Sequence, residues 1–204
     1  MNVLARVLFL ALSVALVTAA PAGATHSRGK CTAHGETLEK NDSGRVYETT
    51  DSEGVDTLWG CLWSRNKPVE LDTAAGDDYV TIDDYSYVVL RGRYVAWIHS
   101  SGDISCKADC PPGYGGVSEY VHVFDLKRRR GETTFTHPVY DGLRLNTFGA
   151  VAWLTREDQG VTVNAWTRAE THRVLDQGAI RRFRLRGTEL SWLNGDAPHS
   201  ATLR

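Results

Sequence analysis

The chain has 204 residues, of which 42% are hydrophobic and 24% are charged, with a formal net charge of −2. This composition suits a globular protein with enough apolar residues for a core, and it excludes a disordered, collagen-like or low-complexity chain. A pI near 6.4 argues against a dedicated nucleic-acid binder. Neither composition nor charge identifies a biochemical activity.

The first 24 residues have the pattern of a secretory signal peptide. Arg6 precedes an apolar run over residues 7–17, and small residues follow up to Ala22-Gly23-Ala24, an A-x-A cleavage pattern. The alternative, a membrane anchor, needs about 20 apolar residues, and this run is shorter. We therefore expect cleavage after Ala24, a secreted or extracytoplasmic location, and no membrane span in the mature chain.

The mature chain is predicted to consist of an N-terminal tail, residues 25–44, followed by a single domain over residues 45–204. Charge divides unevenly along it. Residues 25–84 carry 13 acids and 6 bases, whereas residues 85–204 carry 12 acids and 16 bases. Ordinary solvent-exposed faces of one domain explain this asymmetry, and the alternative is a polar surface that binds a particular partner.

Four cysteines in an exported chain predict two disulfides. Cys106 and Cys110 are close in sequence and lie in a loop-like run, so we pair them, and by elimination Cys31 pairs with Cys61. The second bridge would tie the N-terminal tail to the domain. A zinc site is the competing interpretation, but it needs C-x2-C spacing or clustered histidines, which this sequence lacks.

The body of the chain repeats one pattern. Three segments, residues 90–98, 147–154 and 185–193, each contain a glycine and then an alternating strand that ends near a tryptophan: Trp97, Trp153 and Trp192. Alternation places these indoles on equivalent faces, where we expect core packing. Short strands precede and follow each segment, so the repeat is about four strands in 40–50 residues, typical of a propeller blade.

We therefore predict an all-β fold, a propeller-like array of about four small antiparallel sheets that begin near residues 45, 85, 143 and 180. The first sheet, built on RVYET, DTLWGCLWS and PVEL, lacks one clear strand, and the fourth lacks its last. A β-sandwich or an open partial propeller is the alternative. No segment after the signal peptide has convincing helical periodicity.

The pattern L-x-G-x2-V-A-W, followed by an alternating strand such as VHVFDL, resembles TolB-like and WD40-like β-propeller repeats over residues 45–204. The Gly-His and Trp-Asp dipeptides of WD40 repeats are missing. The whole chain is also similar to small exported actinobacterial proteins of uncharacterised function. The resemblance implies a propeller-like repeat and supplies no activity, because propellers host enzymes, scaffolds and binders alike.

Few residues suggest chemistry. Two pairs of acids flank a short strand and are interpreted as turn and edge residues rather than a calcium site: Asp77, Asp78, Asp83 and Asp84. His99 ends a strand, and His122 is expected on a solvent face. No nucleophile elbow or phosphate loop is present, so we predict no catalytic residue, no metal ligand and no cofactor.

Basic groups and one long loop are the remaining candidates for binding. Lys127–Arg130 is interpreted as a hairpin turn, and residues 181–186 contain four arginines, with Arg182, Arg184 and Arg186 expected on one face. Either group would suit an acidic polysaccharide or a phosphate, although a solvated face is the simpler explanation. The loop over residues 101–119 carries Tyr114, which we name as a candidate ligand or partner contact.

The expected function is a non-catalytic binding module that takes a protein or a cell-envelope ligand through its loops, without nucleic acid. The alternative is a secreted, glycosidase-like hydrolase whose site is assembled from several sheets. A pocket in which a histidine or a carboxylate pair meets other polar groups would separate the two.

Overall fold

The computed structural model describes residues 30–32, 35–75, 81–103, 116–157 and 160–204. These residues form an all-β, propeller-like array of four antiparallel sheets, none of which closes into a barrel. Each sheet is a meander in which consecutive strands pair, as expected for strands joined by short turns. The described residues contain no helix.

The first two sheets have four strands each. The first consists of β1 (Glu36–Lys40), β2 (Gly44–Thr50), β3 (Asp56–Leu62) and β4 (Val69–Ala74). The second consists of β5 (Thr81–Arg91), β6 (Tyr94–Asp103), β7 (Gly116–Asp125) and β8 (Arg130–Thr136).

The third and fourth sheets follow without a long connection. The third consists of β9 (Arg144–Leu145), β10 (Val151–Glu157), β11 (Gly160–Trp166) and β12 (Arg173–Gly178). The fourth has three strands, β13 (Ile180–Arg186), β14 (Glu189–Asn194) and β15 (Ala197–Thr202). The predicted starts of the last three sheets agree with the structure to within a few residues.

The first sheet differs from its prediction. It begins at Glu36 rather than near residue 45, and it has four strands because β1 lies in the segment predicted to be a tail. The sequence of β1, ETLEK, is mostly charged and largely exposed, so it lacks the apolar alternation that marks a strand.

Three apolar clusters fill the spaces between successive sheets. Val46, Leu58, Val95 and Trp97 belong to the cluster between the first and second sheets. Equivalent clusters centre on Trp153, between the second and third sheets, and on Trp192, between the third and fourth. Among the described residues no such cluster joins the fourth sheet to the first.

The first strands of the sheets are neighbours, since β1 contacts β5, β5 contacts β9 and β9 contacts β13. The repeated tryptophans occupy equivalent buried places: Trp97, Trp153 and Trp192 are 2%, 0% and 4% exposed. The prediction that they are core residues is confirmed.

The disulfide between Cys31 and Cys61 is present and confirms that pairing. It covers the outer face of the first sheet, where Cys31, Cys61 and Tyr47 form a small buried cluster with Trp59 and Trp63 packed against it. Cys106 and Cys110, and with them the second predicted pairing, lie outside the described residues. A disulfide is typical of oxidising, extracytoplasmic compartments.

Candidate functional site

Over the residues that the structure describes, the connections at the two ends of the array carry opposite charge. The turns after the first and third strands of each sheet share one end, called here the basic end. These turns hold two acids, Asp42 and Glu170, and seven cations: Arg65, Lys67, Arg93, Lys127, Arg128, Arg129 and Arg168. At the opposite end the described connections carry four acids and no Lys or Arg: Asp51, Glu53, Asp141 and Asp196.

Hydrogen bonds hold the turns of the basic end together. Within the second sheet, the Leu126 N–H donates to the Arg93 carbonyl at 3.0 Å and joins its two turns. Between the first and second sheets, Asn41 Nδ2 donates to the Gly92 carbonyl at 3.3 Å. The basic end is therefore a continuous surface rather than a set of separate loops.

A groove opens at this end between the second and third sheets, with a cavity volume of about 350 Å³. Four residues of the second sheet line one wall and four of the third line the other: Val123, Arg128, Arg130 and Glu132, and Trp166, Thr167, Arg168 and Thr171. Such a volume is in the range of small-molecule sites. Three guanidinium groups and one carboxylate give the groove a net positive charge.

Asp125 is a buried carboxylate that holds arginines at the edge of the groove. Its side chain is fully buried, and Oδ2 pairs with Arg93 at 3.1 Å and with Arg168 at 3.2 Å. Oδ1 accepts the backbone N–H groups of Lys127 at 3.0 Å and Arg128 at 3.1 Å. One carboxylate thus shapes the turn between β7 and β8 and orients an arginine of the next sheet.

The pKa of Asp125 lies below its ordinary value. Burial alone would raise this pKa, but the Arg128 backbone N–H, the charge of Arg93 and the hydrogen bond from Arg168 outweigh burial. Tyr94 adds a second support, because the guanidinium groups of Arg93 and Arg168 lie 4.9 Å and 5.2 Å from its ring centroid. Arg168 is therefore preorganised where it lines the groove.

The other two groove arginines are more open. The side chains of Arg128 and Arg130 are 65% and 80% exposed, against 39% for Arg168. Arg130 and Glu132 are 3.8 Å apart, both in solvent, where such a pair contributes little. Guanidinium groups bind carboxylate, sulfate and phosphate oxygens in paired hydrogen bonds, so the groove suits an anionic ligand.

A second polar cluster links the first sheet to the second. His99 Nδ1 lies 3.0 Å from Asp72 Oδ2, and His99 Nε2 lies 3.1 Å from Asp83 Oδ1. Asp72 Oδ2 also accepts the Trp97 indole N–H at 2.5 Å. The hydrogen-bonding groups of this cluster are engaged with one another, which makes it a cross-sheet link.

One interpretation of a single residue was wrong, and another was right in part. His122 is half-buried and stacks on Trp97, with ring centroids 4.9 Å apart, instead of facing solvent. The reason is that His122 pairs directly with Trp97 between β7 and β6, so both side chains lie on the face that the first sheet covers. Asp83 and Asp84 lie within β5, which begins at Thr81, rather than in a turn. Strand β5 is the first in the order β5-β6-β7-β8 and so forms an edge of its sheet, as expected for these two acids.

The two basic groups also differ from expectation in detail. Lys127, Arg128 and Arg129 form the hairpin turn as predicted, with Arg129 at a φ of 55°, whereas Arg130 already begins β8. In β13 the register shifts between Arg181 and Arg184, so Arg182 lies in a bulge and only Arg184 and Arg186 continue a regular face. Tyr114 lies outside the described residues, as do Asp77 and Asp78.

Sequence reasoning found half of the groove. It singled out Lys127–Arg130 but missed Arg168, which is 43 residues from Asp125 in the chain. The available signal was the position in the repeat: Arg168 comes two residues after the end of β11 at Trp166, as Lys127 comes two residues after the end of β7 at Asp125.

Comparison with protein-family models, with curated proteins and with solved structures found no match to this chain. Within the described residues, no helix is long and apolar enough to cross a membrane. Over the same part of the chain, no three His, Cys, Asp or Glu side chains are grouped to hold a metal ion.

Proposed function

We propose that the chain is an exported, non-catalytic binding module that takes an anionic ligand in the groove between its second and third sheets. The observation that carries this proposal is the convergence of Arg128, Arg130 and Arg168 on one cavity. Arg168 is held in place by the buried Asp125. A site built on a rigid element loses less entropy when it binds its ligand.

Export is part of this proposal. The apolar run and the A-x-A pattern before Thr25 support cleavage of a signal peptide, and the Cys31–Cys61 disulfide agrees with an oxidising compartment. The ligand would then be an extracytoplasmic protein or a component of the cell envelope.

Kinship with TolB-like or WD40-like repeats is likewise proposed. Its support is the equivalent placement of Trp97, Trp153 and Trp192, each on the second strand of its sheet and each hydrogen-bonded to the preceding sheet.

The test is calorimetric titration of the mature protein, residues 25–204, with inorganic pyrophosphate and with a sulfated disaccharide. We expect binding of at least one anion, weakened about tenfold in the double variant Arg128→Ser/Arg130→Ser. The matched control is Arg182→Ser/Arg184→Ser, which removes the same charge from the fourth sheet.

No binding by the wild type, or an equal loss in both double variants, would overturn the proposed site. An equal loss would mean that net charge alone, rather than the groove, attracts the anion. Circular dichroism and a thermal melt of each variant establish that the fold is retained.

A further inference from the structure

We infer that the ligand is a linear polyanion, such as a sulfated or uronic-acid glycan or a polyphosphate, which runs from the groove onto the first sheet. This inference rests on the proposed function and adds the class of ligand and its path. The inference is drawn from cations that lie outside the groove, which a small anion bound in the groove would not contact.

The path follows the turns between the third and fourth strands of three consecutive sheets. We call the following cations the basic track: Arg65 and Lys67 in the first turn, Lys127, Arg128 and Arg129 in the second with Arg130 at the start of β8, and Arg168 in the third. The topology puts all three turns at the basic end, because each one follows the third strand of a meander.

Direct contacts join the turns of the track. Leu126, which opens the second turn, packs against Gly60 of β3 and belongs to the apolar cluster that contains Leu62. Arg168 of the third turn pairs with Asp125 at the base of the second. The three turns therefore keep fixed relative positions and form one surface.

Most charges of the track are uncompensated. All its side chains are exposed. Arg65, Lys67, Lys127 and Arg129 form no ion pair within the described residues. The acid in the third turn, Glu170, already pairs with Arg173 at 2.8 Å. Exposed cations that have no internal partner are free to bind an external anion.

The spacing of these cations decides between a compact and a linear ligand. Packed sheets lie about 10 Å apart, so three successive turns span about 20 Å. Charges in physiological salt are screened beyond about 8 Å, so a compact anion in the groove gains almost nothing from Arg65 and Lys67. A chain with regularly spaced anionic groups contacts the whole track and releases counterions along it, as polyanions do.

The experiment measures the dissociation constant of the mature protein against two length series, sulfated oligosaccharides from di- to dodecasaccharide and polyphosphates of matched charge. We expect the affinity to rise about tenfold or more from the shortest to the longest member of at least one series. The series that shows the rise identifies the source of the anionic groups.

The double variant Arg65→Ser/Lys67→Ser isolates the track from the groove. It should remove most of the gain in affinity with length and leave binding of the shortest anion unchanged. The charge-matched control Arg182→Ser/Arg184→Ser should keep both. A thermal melt of each variant confirms folding, which these exposed turn positions should retain.

The outcomes separate the two proposals. If no short anion binds in the groove, the proposed function fails. If a short anion binds but affinity does not depend on length in either series, or depends on it equally in the Arg65/Lys67 variant, the groove stands and the track is overturned. Binding of a single-stranded oligonucleotide of equal charge as tightly as the best series would overturn the assignment of ligand class.

Discussion

The indole N–H of Trp97 donates a hydrogen bond to Asp72 Oδ2 at 2.5 Å and so joins the second strand of one sheet to the fourth strand of the sheet before it. Trp153 repeats this bond to Thr136 Oγ1 at 2.7 Å, and Trp192 repeats it to Asp176 Oδ2 at 2.6 Å. An indole hydrogen bond of this kind, called here the polar bridge, therefore occurs at all three interfaces between successive sheets, in addition to the apolar clusters.

A histidine covers each of these indoles. His122, His172 and His199 stack on Trp97, Trp153 and Trp192 with ring centroids 4.9, 5.4 and 5.9 Å apart. The bridge and the stacked ring fix the orientation of the indole, and that orientation sets how each sheet lies against its neighbour. The groove depends on this geometry, because its walls belong to different sheets.

The first prediction concerns the bridge at Trp153, which is completely buried. Trp153→Phe keeps an aromatic ring, leaves the Thr136 hydroxyl without its donor and opens a small cavity, so we expect a loss of about 2–3 kcal/mol in the free energy of unfolding. Trp153→Ala should cost about 3–5 kcal/mol. Urea denaturation measures both values.

The control for Trp153 is Phe135→Ala, since Phe135 is 54% exposed and its loss should cost less than about 1 kcal/mol. Equal costs at the two positions would contradict the assignment of Trp153 to an inter-sheet core.

The second prediction concerns Asp125, the buried carboxylate beneath the groove. Asp125→Ala removes two backbone hydrogen bonds and the ion pairs to three arginines, of which Arg93 and Arg168 are close and Arg128 lies 3.8 Å away. Because Arg93 and Arg168 are about one third exposed and Arg128 is more open, solvent compensates them in part, and we expect a loss of about 2–3 kcal/mol. Anion binding should also weaken, since Arg168 loses its support.

Asp141→Ala serves as the comparison for Asp125. Asp141 pairs with Arg144 at 3.0 Å, but its side chain is half exposed, so its loss should cost less than about 1 kcal/mol. Anion binding unaffected by Asp125→Ala in a folded protein would show that Arg168 does not need this anchor.

Much of the fold was predictable because its strongest signal is local. Alternation around Trp97, Trp153 and Trp192 marks one strand of each repeat, and the turns around it set the sheet boundaries. Strand β1 was not predicted because its charged, exposed residues lack the apolar alternation that marks a strand, and only its pairing with β2 shows it to be one. His122 was misplaced because alternation identifies two faces of a strand but not which neighbour covers each.

The groove was less predictable, for a related reason. Composition reveals a basic turn such as Lys127–Arg130, but a binding site also needs the residues that close it from another sheet. Arg168 and Asp125 meet only because the third sheet packs against the second. That contact depends on the inter-sheet packing, which no local pattern encodes.

The third prediction is that acid destabilises the protein in two steps. Burial lowers the pKa of His122 below 6.5, and burial together with the charge of His137 lowers the pKa of His172. Both histidines resist protonation in the folded state, while the unfolded state takes up protons below about pH 6.5. Their contribution to stability is therefore complete above that pH and is lost as the pH falls through the folded-state values.

Carboxylates produce the second step. The pKa values of Asp125 and Asp176 are lowered from 3.8, so the stability that they supply is present above about pH 4 and is lost at lower pH. The free energy of unfolding, measured by urea titration between pH 8 and pH 3, should fall in both windows. His122→Phe, which keeps the stacked ring without a titrating group, should flatten the upper step; an unchanged profile would contradict the role given to His122.

The last prediction concerns the disulfide that ties Cys31 to Cys61 across 30 residues of chain. Closing a loop of this length restricts the unfolded state by about 3–4 kcal/mol in the chain-entropy model, and Cys31 also covers Tyr47 on the outer face of the first sheet. We expect the double variant Cys31→Ser/Cys61→Ser to lose about that much stability in urea.

The variant Cys106→Ser/Cys110→Ser should lose less, because a bridge within so short a loop restricts the chain less. Adding reductant to the wild type should produce the sum of the two losses, and adding it to Cys31→Ser/Cys61→Ser should produce only the smaller one. Peptide mapping without reductant tests the pairing directly: a peptide that links Cys61 to Cys106 would contradict it, and free thiols at Cys106 and Cys110 would remove the second bridge from the protein.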